Sequence, residues 1–228
     1  MPSARRPWVA ASLVDWSHLV DDARRAARDG ADALEVRVDL FPREVLSPET
    51  LGGKLREVRR VARRPILLTI RLRREGGRWP FSEIKRLSLY QSLMSRVDAV
   101  DVEGSSEIAP DVVRFAKKLG RWAVLSHHDF EKTPSDGALR RIAKRFARSG
   151  AAVLKVAALP RRREDADRLM SFCSGLSGRR AFLSMGSEGR RTRLEGFRWG
   201  SCLTYGSIGK SAAPGQLPVK LLAKKYSS

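Results

Sequence analysis

An eightfold alternation of short apolar runs and amphipathic stretches constrains the fold of this 228-residue chain more than any other feature. The apolar runs are rich in β-branched and aliphatic residues and predict strands, while the stretches between them carry Arg and Glu on one face, as helices do. Runs such as 66–70 and 151–154 are almost continuously apolar, which indicates a parallel sheet buried on both faces. Eight strand–helix units therefore predict an α/β fold of the (β/α)8 barrel class, the TIM barrel.

The bounds of the predicted elements follow these runs. Strands are predicted at 8–12, 33–39, 65–71, 99–103, 122–128, 152–158, 180–186 and 201–207, and helices at 17–28, 48–62, 108–119, 134–148 and 163–174. The competing interpretation is an open doubly wound sheet, but no GxGxxG motif follows the first strand. No linker or low-complexity segment divides the chain, so residues 1–228 are predicted to form a single catalytic domain.

The strongly basic composition raises the alternative of a nucleic-acid-binding protein. Lys and Arg together number 45 against 25 Asp and Glu, which gives a formal net charge of +20. The cations are scattered along the chain and aromatic residues make up only 7% of it, so we expect no specific nucleic-acid partner. A positive field of this size should instead draw anionic substrates toward a cleft.

The apolar runs, the start of the chain and the cysteine spacing together predict a cytoplasmic protein without a membrane partner. No run approaches the roughly 20 apolar residues of a transmembrane helix. The basic start at residues 1–6 leads into a stretch interrupted by Asp15, so no signal peptide is expected. Cys173 and Cys202 lack the spacing of a zinc or iron–sulfur site and do not form a disulfide framework, so no metal is expected.

Polar residues mark the carboxyl ends of most predicted strands. In a barrel these ends meet at one face, the face that carries the active site in characterised enzymes of this class. We therefore expect side chains from five or six strands to converge. The positions include Ser12, Glu35, Arg37, Asp39, Arg71, Ser126, His128 and Lys155.

Lys155 stands in an apolar strand with no carboxylate within eight residues on either side. The simpler interpretation is a lysine that extends from the strand end to solvent. Burial near other cations would instead favour the neutral amine, which can attack a ketone and form an imine. The resulting iminium withdraws electrons from a neighbouring carbanion, so Lys155 is a candidate nucleophile.

Two of the three histidines are adjacent in the sequence, at 127 and 128. Side chains alternate along a strand, so His127 and His128 must face opposite ways and only one can face the barrel mouth. A histidine one strand before an isolated lysine can act as the base beside an imine. Glu75 follows the third strand and could orient that imidazole, or it could be a solvated loop charge.

Several arginines are expected at the same face. Strand parity places Arg37 and Arg71 there, and Arg193 is expected in the loop after the seventh strand. Because guanidinium groups bind carboxylates with two hydrogen bonds, the substrate should be a small hydroxylated carboxylate. Glu35 and Asp39 could pair with Arg37 or accept hydrogen bonds from substrate hydroxyls.

Six motifs in a fixed order resemble the type I 3-dehydroquinate dehydratase family, also called 3-dehydroquinase. The motifs are Glu35-x-Arg37-x-Asp39, Thr69-x-Arg71-x-x-x-Glu75-Gly76-Gly77, Ser126-x-His128-Asp129-Phe130-x-x-Thr133-Pro134, Lys155-Val156-Ala157, Met185-x-x-x-Gly189-x-x-x-Arg193 and Ala213-Pro214-Gly215-Gln216. The resemblance extends from residue 12 to residue 216. It implies a barrel hydro-lyase that converts 3-dehydroquinate to 3-dehydroshikimate plus water in the shikimate pathway of aromatic amino-acid biosynthesis.

The resemblance also implies roles for individual residues. Lys155 would form the Schiff base, His128 would transfer the proton beside the imine, and Glu75 would orient the histidine. Arg193 would bind the substrate carboxylate. Further substrate contacts would come from Ser12, Glu35, Arg37, Arg71 and Gln216. The family is usually homodimeric and uses no metal or cofactor.

One position departs from the family pattern. Ala212 stands where a serine is common, so a substrate hydrogen bond would be lost or supplied by the backbone or Ser211. The enzymatic alternative is a class I aldolase, which uses the same kind of barrel lysine to cleave carbon–carbon bonds. Because aldolase substrates usually carry phosphate, the choice of substrate separates the two activities.

Overall fold

The computed structural model describes residues 6–227, in which eight parallel strands form a barrel surrounded by helices. The strands are β1 (Trp8–Leu13), β2 (Ala33–Arg37), β3 (Ile66–Thr69), β4 (Ala99–Glu103), β5 (Trp122–Asp129), β6 (Val153–Ala158), β7 (Arg180–Ser184) and β8 (Leu203–Ser207), with a two-residue strand β9 (Leu217–Pro218) beside β8. Residues 1–5 and 228 of the predicted domain, including most of the basic start, lie outside the described residues.

Eight α-helices connect or follow the strands within residues 6–227. They are α1 (Leu19–Arg28), α2 (Pro48–Ala62), α3 (Glu83–Leu93), α4 (Ala109–Lys118), α5 (Asp136–Ser149), α6 (Arg163–Ser174), α7 (Gly186–Glu195) and α8 (Val219–Ser227). The hydroxyls of Ser47, Ser82 and Ser135 cap α2, α3 and α5 by accepting a backbone N–H of the first turn. Ser47 directly precedes residue 48, where the sequence predicts that α2 begins.

The strand pairing closes the sheet into a ring. Each strand from β1 to β7 pairs in parallel with the next, and β1 also pairs with β8. Between β7 and β8 the ring is completed by the parallel bridge from Arg180 to Ser201. The predicted barrel is confirmed, and the open doubly wound alternative is wrong.

Three predicted strands extend too far at their carboxyl ends. Residues 38–40 form a 3₁₀ turn after β2, β3 ends at Thr69, and Gly186 begins α7. The apolar pattern continues through these turns, so it does not mark where strand pairing stops. Because the chain turns after β2, Asp39 can reach back to the side chain of Arg37.

The hydrophobic core has two layers. Outward-pointing strand residues such as Val36, Leu68 and Val100 pack beneath the helices, while inward-pointing residues such as Leu67 and Val124 fill the lower half of the barrel. This packing leaves the carboxyl ends of the strands for polar side chains. Within residues 6–227, no helix combines the length and apolarity that crossing a membrane requires.

Candidate active site

Strand alternation brings the predicted polar residues into one cavity at the carboxyl end of the barrel. On β6, Val153, Lys155 and Ala157 share the inward face, and neighbouring strands follow the same pattern. Asp39 and Ser126, which were also expected at this face, do not line the cavity. Ten other residues named from the sequence do line it: Ser12, Glu35, Arg37, Arg71, Glu75, His128, Lys155, Arg193, Ala212 and Gln216.

The Lys155 amine lies between two carboxylates. Its side chain is almost fully buried, and Nζ lies 3.0 Å from Asp101 Oδ2 and 3.4 Å from Glu35 Oε1. The Tyr205 ring centroid is 3.9 Å from Nζ. The expectation of mainly cationic surroundings is therefore wrong, because the barrel brings together carboxylates that are distant in sequence.

Glu35 and Arg37 have different partners although they share one face of β2. Glu35 accepts hydrogen bonds from Ser12 Oγ at 2.7 Å and Thr69 Oγ1 at 3.2 Å. Arg37 instead forms two hydrogen bonds to Asp39, at 3.0 and 2.9 Å. Of the two carboxylates considered for Arg37, Asp39 is the one that pairs with it, which leaves Glu35 directed at the lysine.

Arg71 is the centre of a buried ionic network. Its guanidinium lies 2.8 Å from Asp101 and 3.0 Å from Glu103, and it donates to Ser126 Oγ at 2.7 Å. Glu103 also accepts the Leu72 backbone N–H, which ties the start of the β3 loop to β4. The loop that carries Glu75 is thus anchored beside the cavity.

His128 is held by Glu75. Glu75 Oε2 accepts the His128 backbone N–H at 2.8 Å and lies 3.1 Å from Nδ1, while Ser105 donates to Oε1 at 2.7 Å. Burial lowers the pKa of His128 well below its usual value, and the positive charges of Arg71 and Lys155 act in the same direction. The imidazole is then neutral at pH 7. With Nδ1–H donating to Glu75, Nε2 keeps a lone pair and can accept a proton.

The adjacent histidine faces away from this cavity. His127 lines a different depression, on the outside of the barrel beside α5. The prediction that only one of the two histidines faces the mouth is confirmed, and His128 is that histidine.

Arg193 is a buried cation without a carboxylate partner among residues 6–227. One guanidinium nitrogen donates to the backbone oxygens of Ser184 at 2.7 Å and Gly189 at 3.2 Å, while Nε has no hydrogen-bond partner. Burial lowers its pKa to about 10. Arg193 belongs to α7, so its expected place in a loop is wrong. An unneutralised guanidinium on the cavity wall is suited to bind an anion.

The last strand–helix connection supplies the opposite wall. Gln216 Nε2 donates to Ser12 Oγ at 2.9 Å, and the Ala212 backbone N–H donates to Gln216 Oε1 at 2.8 Å. The Ser211 hydroxyl lies 3.2 Å from the same Gln216 oxygen. In place of a serine side chain at 212, the backbone and Ser211 therefore position the Gln216 amide.

Four residues that touch the predicted set were missed by sequence reasoning. They are Asp101, Glu103, Ser105 and Tyr205. Asp101 and Glu103 alternate with valines in β4, and charged residues at alternate positions of a buried strand were a usable signal. Ser105 and Tyr205 gave no such signal. No cluster of three or more His, Cys, Asp or Glu suited to a metal ion occurs within residues 6–227.

The chain is similar to known proteins in both sequence and structure. The family model described as type I 3-dehydroquinase matches residues 10–228. A 3-dehydroquinate dehydratase from Methanosarcina acetivorans is 35% identical over 215 residues, covering 90% of this chain and 88% of the relative. The crystal structure of the enzyme of that name from Geobacillus kaustophilus has a TM-score of 0.90 at 31% identity, covering 97% of this chain and 90% of its own.

A second solved structure is similar to the same extent. It is a type I 3-dehydroquinate dehydratase from Clostridium difficile with covalently modified comenic acid. Its TM-score is 0.89 at 28% identity, and the match covers 97% of this chain and 92% of that one.

Proposed function

Because the chain belongs to the type I 3-dehydroquinase family, we propose that it is a Schiff-base hydro-lyase that converts 3-dehydroquinate to 3-dehydroshikimate and water. One observation carries the assignment of roles: a single cavity is lined by the buried amine of Lys155, the imidazole of His128 and the unpaired guanidinium of Arg193. The reaction is the third step of the shikimate pathway, which leads to chorismate and the aromatic amino acids.

The first stage joins the substrate to the enzyme. The Lys155 nitrogen gives up a proton and attacks the ketone carbon, forming a carbinolamine. His128 is the acceptor suited to that proton, because its imidazole is neutral and Nε2 is unprotonated. His128 returns this proton to the hydroxyl group of the carbinolamine, which leaves as water, so the iminium forms and the imidazole is neutral again. The positive charge on nitrogen acidifies the neighbouring C–H bond.

The second stage removes water from the substrate. His128 takes the proton from the carbon beside the iminium, and the electrons of the C–H bond form an enamine. The protonated His128 then donates to the departing hydroxyl group, a carbon–carbon double bond forms, and the iminium returns. Hydrolysis of the iminium releases 3-dehydroshikimate and restores Lys155, so one water is lost overall.

Substrate binding is divided among the remaining residues that line the cavity. Arg193 binds the carboxylate, because it is the buried guanidinium without an anionic partner among the described residues. Hydrogen bonds to the hydroxyl groups come from Ser12, Glu35, Arg37, Arg71 and Gln216, with the backbone at Ala212 holding the Gln216 amide. The covalent ligand in the Clostridium difficile relative supports a covalent step at this kind of site.

A direct assay tests the activity. Purified protein is mixed with 3-dehydroquinate, and the conjugated enone of the product is followed by its ultraviolet absorbance. The protein should produce the enone without an added metal or cofactor. Folded protein that produces no enone but cleaves a sugar phosphate would be a class I aldolase instead, and the proposed function would be wrong.

We also propose a homodimer in the cytoplasm, on the strength of the family resemblance. Sedimentation equilibrium measures the first property, and a mass twice the 25.5 kDa of the chain is expected. Cell fractionation with an antibody to the protein measures the second.

A further inference from the structure

Asp101 lies beneath Lys155, outside the set of residues that line the cavity. Its Oδ2 atom is 3.0 Å from Lys155 Nζ and has no other hydrogen-bond donor among residues 6–227. Its Oδ1 atom accepts from Ser126 Oγ at 2.6 Å and from Arg71 at 2.8 Å. Two donors therefore fix the carboxylate so that one oxygen is left for the lysine nitrogen alone.

The other carboxylate near the nitrogen is arranged differently. Glu35 is 3.4 Å from Nζ, and both of its oxygens already accept hydrogen bonds, from Ser12 and Thr69. Glu35 also lines the cavity, where it can meet substrate hydroxyls. Asp101 is closer to Nζ and its nearer oxygen is committed to no other donor, so it is the stronger partner for a charge on nitrogen.

Asp101 is also held in its ionised form. Burial alone would raise its pKa, but the positive charges of Arg71 and Lys155 lower it well below the usual range. A carboxylate that stays charged at every working pH can stabilise a cation without taking its proton.

From this geometry we infer that Asp101 is a catalytic residue whose Oδ2 is the counter-ion of the protonated imine nitrogen. The inference rests on the proposed imine at Lys155. The iminium nitrogen carries one N–H, which donates to Asp101. When the neighbouring carbon loses its proton, the electron pair moves to nitrogen and the charge disappears. It returns when the hydroxyl leaves, and Asp101 gains no proton at any step.

Replacement of Asp101 by asparagine tests this role. Asp101→Asn keeps the shape but removes the charge, so we expect kcat and the rate of borohydride trapping to fall by about 100-fold, as when a preorganised electrostatic partner is removed. Binding of a substrate analogue with the ketone reduced to an alcohol should change less than about threefold, because Asp101 lies outside the cavity lining. Arg193→Met is the matched control and should weaken that binding.

The pH profile separates a counter-ion from a merely structural residue. A neighbouring carboxylate favours the protonated imine, so its removal should move the alkaline limb of the kcat profile to lower pH. The other titratable and charged groups around this nitrogen are Glu35, Arg37, Arg71, His128 and Tyr205. All of them are retained in Asp101→Asn, so a shift of this limb reports the charge at 101.

Ser126→Ala provides a second variant in case the asparagine variant does not fold. It keeps the carboxylate and removes one of the hydrogen bonds that fix it. We expect a several-fold slower trapping rate, because the carboxylate is then held less firmly against the lysine nitrogen. Suppose that the wild-type protein is trapped and that the variant that folds is trapped at the same rate, with an unchanged alkaline limb in Asp101→Asn. That result would overturn the role of Asp101. If the wild-type protein itself formed no adduct, the proposed function would fail instead.

Discussion

The same strands bury different kinds of side chain at the two ends of the barrel. At the amino end the inward side chains are apolar, including Trp8, Leu67 and Val124. A few residues further along, the inward positions carry charges such as Asp101 and Lys155. These apolar side chains lower the local dielectric constant, which strengthens electrostatic interactions at the charged end.

The charged end is stable because nearly every buried ion has a partner. Asp101 and Lys155 are paired, and so are Arg37 and Asp39. An unpaired buried ion would carry a large desolvation penalty. Arg193 has no carboxylate partner among the described residues, which is why we propose that a ligand anion supplies the missing charge there.

The strongest test removes the nucleophile from the charged end. Lys155→Ala should lower turnover by more than about 10⁴-fold, because no other amine among the residues that line the cavity can form the imine. Lys155→Arg is the control that keeps a cation beside Asp101 and Glu35. It should fold normally and remain inactive in the steady-state assay. Turnover by either variant near the wild-type rate would refute an imine at this position.

The next effect concerns the two adjacent histidines. His128→Ala should lower the dehydration rate by about 10²- to 10⁴-fold, the usual contribution of a positioned acid or base, while slow adduct formation persists. His127→Ala is the matched control, because that side chain faces the outside of the barrel. Its turnover should equal that of the wild type. A fully active His128→Ala enzyme would exclude the proposed base.

Removing the guanidinium group of Arg193 should mainly affect substrate binding. Arg193→Met should raise KM by about 10- to 100-fold, the loss expected for a hydrogen bond between charged partners. Arg190→Met, at an exposed position on the same helix, is the control. Steady-state kinetics measure KM for both variants. An unchanged KM in Arg193→Met would show that the substrate carboxylate binds elsewhere.

The pH dependence of kcat/KM reports the environment of His128. The base must be neutral, and burial together with Arg71 and Lys155 lowers its pKa well below 6.5. As the pH falls, activity should therefore persist through pH 6.5 and decline only below it. His127→Ala should show the same acid limb. An acid limb at or above pH 6.5 would contradict a neutral imidazole in the resting enzyme.

The smallest effect on turnover is expected from the apolar end. Leu67→Ala should lower the free energy of unfolding by about 2–5 kcal/mol, as other buried leucine truncations do, with kcat little changed. Ile84→Ala is the control, because that side chain is 80% exposed. Chemical denaturation measures the stability. A large loss of kcat in folded Leu67→Ala would show that the two ends are not separable.

The sequence predicts the barrel and most of the cavity because both follow from local patterns. Lys155 is recognisable as an isolated charge in an apolar strand, and strand parity shows that only one of His127 and His128 can face inward. Asp101 carries a similar signal, but its importance depends on a contact with a residue 54 positions away. No local sequence pattern shows that two residues so far apart in the sequence are in contact. The same limit explains the expected cationic surroundings of Lys155, which the carboxylates from β2 and β4 contradict.

Chain turns at strand ends were harder to predict than the strands themselves. Gly186 begins α7, and the helix places Arg193 beside the cavity. The close approach of this helix to β7 requires glycine at 189, where a Cβ atom would lie 2.5 Å from the Ser184 oxygen. Sequence spacing located the arginine but not the helix that holds it.

A covalent imine on Lys155 can be detected directly by mass spectrometry. The protein is incubated with 3-dehydroquinate, reduced with borohydride, and examined by intact mass and peptide mapping. We expect one stable substrate-derived adduct, located on Lys155 and absent in Lys155→Ala. Folded, ligand-binding protein that gains no mass, or an adduct at another lysine, would contradict it.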